Sequence, residues 1–455
     1  MFGYNHFMKN KKQLLLSGIT TLFLTHSTLH AQENIVADMT HMFDDVNLSQ
    51  MTHIKDWIVL PYVFSTESTG FSGGIGVIKQ GLFQPQTTLV ATAFYGAEQD
   101  IITNGQDDTA NFSGGFIMFT NYKLPFTKRL FFSMQGLKSY FPKARLYFKG
   151  EDNSDRDHAI ISSGDSDFLY TSFKYILPIG EGIDNIDNIY DLKNGFAMGR
   201  EGYGGGVPFV TGRTSVGIKT FYSHDEFENR SGPYSASISD WNTNGLRFFL
   251  HHENTDYDLN PSRGYQFQIQ YSKDFGWGDS LQGWDFLEAK YNHYINLPTF
   301  SWTKQNVLAL SAWTGYSPSW ENAETYGNTS LNAHRPPPWE GARLGGFFRM
   351  RGYENNRFSD KAAFYATAEY RAILDYNPFR TNKFIPVAID WFQVVPFVEA
   401  GRVNDKYNFD LLSDMKFDVG ISLRAMAAEV PVRVDVAYGD EGTNFWVMVY
   451  QPFDF

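Results

Sequence analysis

Along much of this chain apolar and polar residues alternate with a period of two. In "GYQFQIQYS" (264–272) Tyr265, Phe267, Ile269 and Tyr271 fall on one side of an extended backbone, and Gln266, Gln268, Gln270 and Ser272 on the other, because successive strand side chains point to opposite faces. "FLYTSFKYILP" (168–178) sets Phe168, Tyr170, Ser172 and Lys174 against Leu169, Thr171, Phe173 and Tyr175. "AAFYATAEYRAIL" (362–374) sets six residues from Phe364 to Leu374 against Tyr365, Thr367, Glu369 and Arg371. "PVRVDVAY" (431–438) sets Val432, Val434, Val436 and Tyr438 against Arg433, Asp435 and Ala437. Runs of about eight to ten residues match the length of a tilted membrane strand. Turn signals such as "EDNSDRD", "IGEGIDNIDN", "LNPSRG", "HRPPPWEG" and "GDEGTN" separate them. No helical heptad or long linker breaks the rhythm, so the pattern predicts one all-β domain. At about 25 residues for each strand with its share of connections, the 400 residues from Asp56 to Phe455 predict about sixteen antiparallel strands.

Such strands build either a soluble sandwich or a membrane barrel. A sandwich needs an outer polar shell, whereas many faces here stay aromatic and aliphatic for their full length. In a transmembrane antiparallel β-barrel the apolar faces meet lipid and the glutamines line a wet lumen, while closure leaves no unpaired sheet edge in the hydrocarbon. Tyr, Trp and Phe at the strand ends then form interfacial girdles. Composition points the same way: aromatic residues reach 17%, against 19% charged. A net charge of -12 repels a phosphate backbone and argues against nucleic acid as a partner. The absence of cysteine removes disulfides and thiolate chemistry.

The amino terminus carries Lys9, Lys11 and Lys12, an apolar run from Leu14 to Leu24 and a small-residue cut site after Ala31. This predicts a secretory signal peptide over residues 1–31, with Met8 as an alternative start. Residues 32–55 follow as a short segment before the barrel of 56–455. Ile35, Met39, Met42, Phe43 and Val46 there fall roughly on one helical face.

Three stretches, "DYDLNPSRGYQF" (256–267), "LGGFFRMRGYENNRFSDKAAFYATAEYR" (344–371) and "PFVEAGRVND" (396–405), together resemble the BamA/TamA surface-antigen superfamily of outer-membrane barrels in order and spacing. "YVFSTESTGFSGGIG" (62–76) looks like the first strand of its members that lack POTRA domains. The resemblance implies a long loop folded back into the lumen, on which the arginine of an "RGY" tripeptide meets acidic residues of the wall. Carried over, that arginine is Arg351, and Gly352 and Tyr353 shape the loop tip. Strand parity independently places Glu369, Glu399 and Asp435 on lumenal faces. Glu399 is the first candidate partner and Asp435 the second, while Glu369 has Arg371 as a competing partner. A guanidinium in a confined lumen needs a carboxylate; a solvated loop arginine is the alternative reading. Gly345 and Gly346 fit a close backbone approach just before the tip.

Gly70, Gly73, Gly74 and Gly76 weaken side-chain packing along their strand. If that strand seals against the last one, near "NFWVMVYQPF" (444–453), it forms the weakest line of the barrel. In the insertase branch of the family such a seam is the gate at which client strands pair. A glycine kink that sets curvature is the competing explanation. "GFSGG" also matches the hydrolase nucleophile elbow, but extended sequence follows Ser72 where a helix is required. No metal or cofactor site is expected, since the acidic loops lack ordered ligand spacing. "QPFDF" puts Pro452 beside the terminal Phe455, so the last strand should stop near Tyr450.

The resemblance implies a non-enzymatic outer-membrane protein that assists insertion or passage of polypeptides. Its expected partners are outer-membrane lipid and lipopolysaccharide, client outer-membrane or exported proteins, and a separate periplasmic protein standing in for POTRA domains. A passive channel narrowed by the internal loop and a surface-exposed structural or receptor protein are the competing functions.

Overall fold

The computed structural model describes residues 57–66, 69–103, 106–148, 150–232, 240–321, 334–379, 389–427, 430–449 and 451–453. The signal peptide expected at 1–31, the segment at 32–55 and Phe455 lie outside the described residues. Sixteen antiparallel strands form the wall: β1 (Ile58–Thr66), β2 (Gly70–Gln80), β3 (Thr88–Thr103), β4 (Gln106–Lys123), β5 (Leu130–Leu146), β6 (Ile160–Gly180), β7 (Arg213–Asp225), β8 (Trp241–Thr255), β9 (Gly264–Asp274), β10 (Trp284–Leu297), β11 (Thr303–Tyr316), β12 (Ala362–Leu374), β13 (Ile389–Asn404), β14 (Lys416–Ala427), β15 (Val430–Gly439) and β16 (Gly442–Val449). Each pairs with the next in sequence, and a short continuation of β7, Glu228–Ser231, pairs again with β6. The sheet curls into a barrel whose even strand number puts both ends of the wall at one mouth, the terminal mouth. The long connection 317–361 belongs to the opposite, loop mouth.

Parity holds where it was read. On β9, Ile269 is 47% exposed on the outer face, while Gln266 and Gln270 are buried on the inner one. Gln270 Nε2 donates to Glu288 Oε1 at 2.7 Å, and Gln266 Nε2 donates to the Tyr294 hydroxyl at 3.1 Å. Inward polar side chains thus satisfy one another across the ladder, as buried polar groups must.

Two expectations are corrected. Gly70, Gly73, Gly74 and Gly76 lie on the second strand, not at the seam. Gly73 stands opposite Val63 on β1 and opposite Tyr95 on β3, and Gly76 opposite Leu60 and Thr92. The stretch 62–76 is a hairpin, because "YVFST" forms a strand of its own before the chain reverses and Gly70 (φ +60°) starts the return. The edge strands are β1 and β16, and among the described residues no ladder joins them. Nor is the lumen uniformly polar. The β3–β6 side turns Phe94, Phe112, Phe116, Phe141 and Phe168 inward, all buried, in one cluster with Met350 and Tyr353 of the long loop. Phe94 stacks on Phe112 with ring centroids 4.7 Å apart. An interior filled by protein excludes water, so aromatic side chains are stable there.

Candidate functional site

The connection from β11 to β12 folds back into the barrel and closes on itself. Its arms pair where Arg343–Leu344 meets Phe358–Ser359. Between them the backbone reverses tightly: Gly345 N–H donates to Arg349 O at 3.0 Å and Gly346 N–H to Tyr353 O at 3.2 Å. Gly345 and Gly346 have φ of +105° and +110°, and a Cβ on Gly345 would lie 2.1 Å from Glu354 O. Only glycine fits both demands, as anticipated for these positions.

This turn carries Arg351 into a set of carboxylates from three strands. Arg351 Nε donates to Glu399 Oε1 of β13 at 3.1 Å, Nη2 to Glu369 Oε1 of β12 at 2.9 Å, and Nη1 to Asp435 Oδ2 of β15 at 3.4 Å. Its backbone N–H reaches Glu399 Oε2 at 2.5 Å, and its guanidinium lies 3.4 Å from the centroid of the Phe397 ring. Every side chain in this set is fully buried. All three acids predicted by parity therefore converge on the predicted arginine. Glu369 also binds Arg371, the anticipated competitor, so it pairs with both. Three carboxylates around one cation would leave net negative charge, which Arg371, Arg424 and Arg433 offset: Arg424 Nη2 donates to Glu369 Oε1 at 2.7 Å, and Arg433 pairs with Asp435. Removing one member of a buried pair typically costs about 3 to 5 kcal/mol.

Gly352 and Tyr353 fix the approach. A Cβ on Gly352 would stand 2.5 Å from Asp418 Cβ and 2.8 Å from Gly439 N, so the tip lies directly against β14 and β15. The Tyr353 hydroxyl donates to Phe417 O at 3.3 Å, and its ring meets Phe358 edge-on at 5.2 Å. Trp446 of β16 donates Nε1–H to Arg351 O at 2.8 Å. This tryptophan escaped the sequence reading, although it stands directly opposite Asp435 of β15.

A second set of anchors, also missed, lies in the same motif. Glu354 accepts from Arg156 Nε at 2.8 Å, from Arg145 and from the Tyr147 hydroxyl. Arg357 binds Glu441 at 2.7 Å and donates to Ser154 O at 2.6 Å. The turn "EDNSDRD" is thus a docking partner of the loop. The charges of "RGYENNR" were visible, but their partners come from distant connections. Nearer the root, Arg335 Nη1 donates to Phe148 O at 2.6 Å, and burial pushes its guanidinium down to about 10. Burial pushes the Asp360 carboxyl up to about 6.

The terminal mouth is also occupied. Within the β6–β7 connection a two-residue hairpin, Leu192–Lys193 with Phe196–Ala197, reaches across so that Trp391 Nε1 of β13 donates to Gly195 O at 3.2 Å. Tyr190 is buried there and donates to Asn188 Oδ1 at 2.8 Å. Beyond β16 the tail turns inward. Phe453 is buried, its carbonyl accepts from Asn292 Nδ2 of β10 at 2.6 Å, and Arg371 lies 4.8 Å from its ring centroid. Gln451 accepts from Arg424. The two arginines that share Glu369 with Arg351 therefore also hold the tail. Ser72, the residue of the elbow-like "GFSGG", sits within β2 and donates to Thr69 O at 2.8 Å, with no helix following it.

Several solved structures are similar to this chain. BamA from Haemophilus ducreyi lacking POTRA domains 1–3 is 12% identical over 87% of this chain and 68% of its own, with a TM-score of 0.44. CdiB from Escherichia coli is 9% identical over 95% and 73%, with a TM-score of 0.51, and CdiB from Acinetobacter baumannii 12% identical over 87% and 58%, with 0.48. At such identity the second of these speaks to fold alone. No curated protein matches in sequence. The family model described as the Omp85 superfamily domain matches residues 104–447, which spans β4 to β16 and includes the arginine loop with all of its carboxylate partners. The chain belongs to the Omp85 superfamily of outer-membrane β-barrels.

Proposed function

We propose that this protein assists insertion or passage of other polypeptides at the bacterial outer membrane, with the terminal mouth toward the periplasm and the β1–β16 edge as the place where a client strand pairs. The carrying observation is that, among the described residues, the sheet ends in two short edge strands, β1 and β16. β1 and β16 have 9 and 8 residues and their neighbours β2 and β15 have 11 and 10, whereas β3 to β6 have 16, 18, 17 and 21. Among the described residues no ladder joins β1 to β16, so a client strand would displace no described pairing there, and an edge strand is a ready template for another strand. Glycines 70, 73, 74 and 76 on β2 reduce packing beside that edge. The family membership supports a role in translocation, and the filled lumen favours traffic at the wall over free diffusion through the centre. Lipopolysaccharide, client proteins and a periplasmic partner belong to this proposal.

Photoreactive side chains replacing Val59 on β1 and Val447 on β16 test it in cells. Trapping of nascent barrel strands at both positions supports the reading; silence at both while clients are abundant overturns it. A large conductance in planar bilayers that appears only in Arg351→Ala would instead favour a channel narrowed by its loop.

A further inference from the structure

The β6–β7 connection does more than cross the terminal mouth, because its last part leaves the lumen and folds onto the outside of the wall. Residues 203–211, "YGGGVPFVT", contain no charged side chain. They are clamped from below by main-chain and polar contacts. Gly205 N–H donates to Asn254 O at 3.1 Å, the Tyr265 hydroxyl to Gly206 O at 3.1 Å, and Asn254 Nδ2 to Thr211 Oγ1 at 2.8 Å. Gly204, Gly205 and Gly206 all have positive φ, and a Cβ on Gly204 would meet Arg263 O at 2.8 Å. Thr211 N–H closes a turn onto Val207 O at 3.0 Å, which presents Val207, Pro208, Phe209 and Val210 as a knob.

That knob is apolar and faces away from the protein. Val207 is 63% and Val210 70% exposed. Phe209 adopts φ +66°, an unusual conformation for a bulky residue. Its ring packs on two side chains of the outer face, His252 of β8 at 5.3 Å and Phe267 of β9 at 6.0 Å between centroids. Farther along the same strands the outer face continues with exposed Phe248 and Ile269. The knob therefore extends the apolar belt of the barrel toward the terminal mouth.

The other connections at this mouth show what such a position does. Exposed aromatic residues mark four of them: Phe83 between β2 and β3, Phe126 between β4 and β5, Phe300 with Trp302 between β10 and β11, and Tyr376 after β12. The β8–β9 connection carries none, since its Tyr257 is buried. The knob lies against the β8–β9 hairpin and fills that gap in the girdle.

We propose that residues 203–211 are an interfacial anchor, seating Val207, Phe209 and Val210 among the acyl chains and glycerol groups of the phospholipid leaflet at the terminal mouth. Apolar side chains on a rigid, uncharged turn that continues a lipid-facing belt gain free energy by leaving water. The clamp at Asn254 and Tyr265 fixes the depth of the knob, so the β8–β9 hairpin and the lumenal part of the same connection move with it. The inference rests on the barrel and its outer belt, and is independent of whether clients pair at the β1–β16 edge.

The chain has no cysteine, so single spin labels can be placed cleanly. The full chain folded into phosphatidylethanolamine/phosphatidylglycerol vesicles would carry a nitroxide at Val210→Cys or, as the aqueous reference in the same connection, at Asp184→Cys. The expected result is that oxygen relaxes the label at 210 several-fold more effectively than a water-soluble nickel chelate does, with the opposite preference at 184. Equal nickel accessibility at the two sites overturns the proposal. A photoreactive residue replacing Val207 in intact cells separates lipid from protein occupants: a lipid adduct supports it, and a discrete crosslinked protein overturns it in favour of a periplasmic partner.

Discussion

The two sides of the lumen hold the same loop by different physics. Toward β12–β15 the tip meets Glu369, Glu399 and Asp435, whose contacts are directional and depend on charge. Toward β3–β6 it shares one apolar cluster with Phe94, Phe112, Phe116, Phe141 and Phe168, which fill space, beside the ionic anchor of Glu354 on Arg145 and Arg156. Ionic contacts choose one register for the loop, since each carboxylate must find its donor. Aromatic packing tolerates small shifts but excludes the water that would weaken those ion pairs. The ionic contacts specify the position and the aromatic cluster insulates it.

Breaking the charged side should have the largest effect. Arg351→Ala leaves three buried carboxylates without their shared cation and should weaken loop docking by about 3 to 5 kcal/mol, read as new protease cleavage within 317–361 of the folded protein. Arg351→Lys keeps the charge but loses the fork, and its cleavage should fall between that of wild type and Ala; equality with wild type would show that charge alone is enough. Glu354→Gln removes one charge from the second anchor and should cost about 1 to 3 kcal/mol, seen as cleavage confined to the loop-mouth side of the tip. On the aromatic side, Phe116→Leu should destabilise the barrel by about 1 kcal/mol, read as a lower temperature of the heat-induced mobility transition, without exposing the loop. Cleavage as extensive as in Arg351→Ala would erase the contrast between the walls.

The smallest effect is one of pH. Asp360 sits near Glu151, Asp405 and Arg335, and burial raises its carboxyl from 3.8 to about 6. A raised folded-state value means that the docked loop binds the proton more tightly than the free loop does. The resulting stabilisation is full below 3.8 and is lost as pH rises through about 6. Protease protection at the loop root should therefore be stronger at pH 5 than at pH 7.5, and Asp360→Asn should flatten that difference.

Much of the charged side was legible in the sequence and much of the aromatic side was not. Period-two alternation assigns residues to faces, so Glu369, Glu399 and Asp435 could be placed in the lumen independently of the motif that supplied Arg351. Alternation cannot tell inside from outside when both faces are apolar. In "NFSGGFIMF" (111–119) Phe116 and Met118 point in while Ile117 points out, and nothing local distinguishes them. The glycine strand was displaced by one position because a hairpin reads as a single strand when its turn is short. Glu354 and Arg357 were missed because their partners, Arg156, Ser154 and Glu441, come from connections whose folding no periodicity encodes. The crossing of the terminal mouth by 181–212 was hidden for the same reason, since the turn residues of "IGEGIDNIDN" gave no indication of where the chain goes next.

Glu369 is shared property. One of its neighbours rides on the arginine loop, while Arg371 and Arg424 grip Phe453 and Gln451 at the other end of the polypeptide. The two segments approach from opposite mouths, yet a single carboxylate arbitrates between them. Thermodynamic reciprocity then requires that tugging the carboxyl-terminal residues outward alter the hold on the loop by the same free energy with which loop withdrawal alters the hold on those residues.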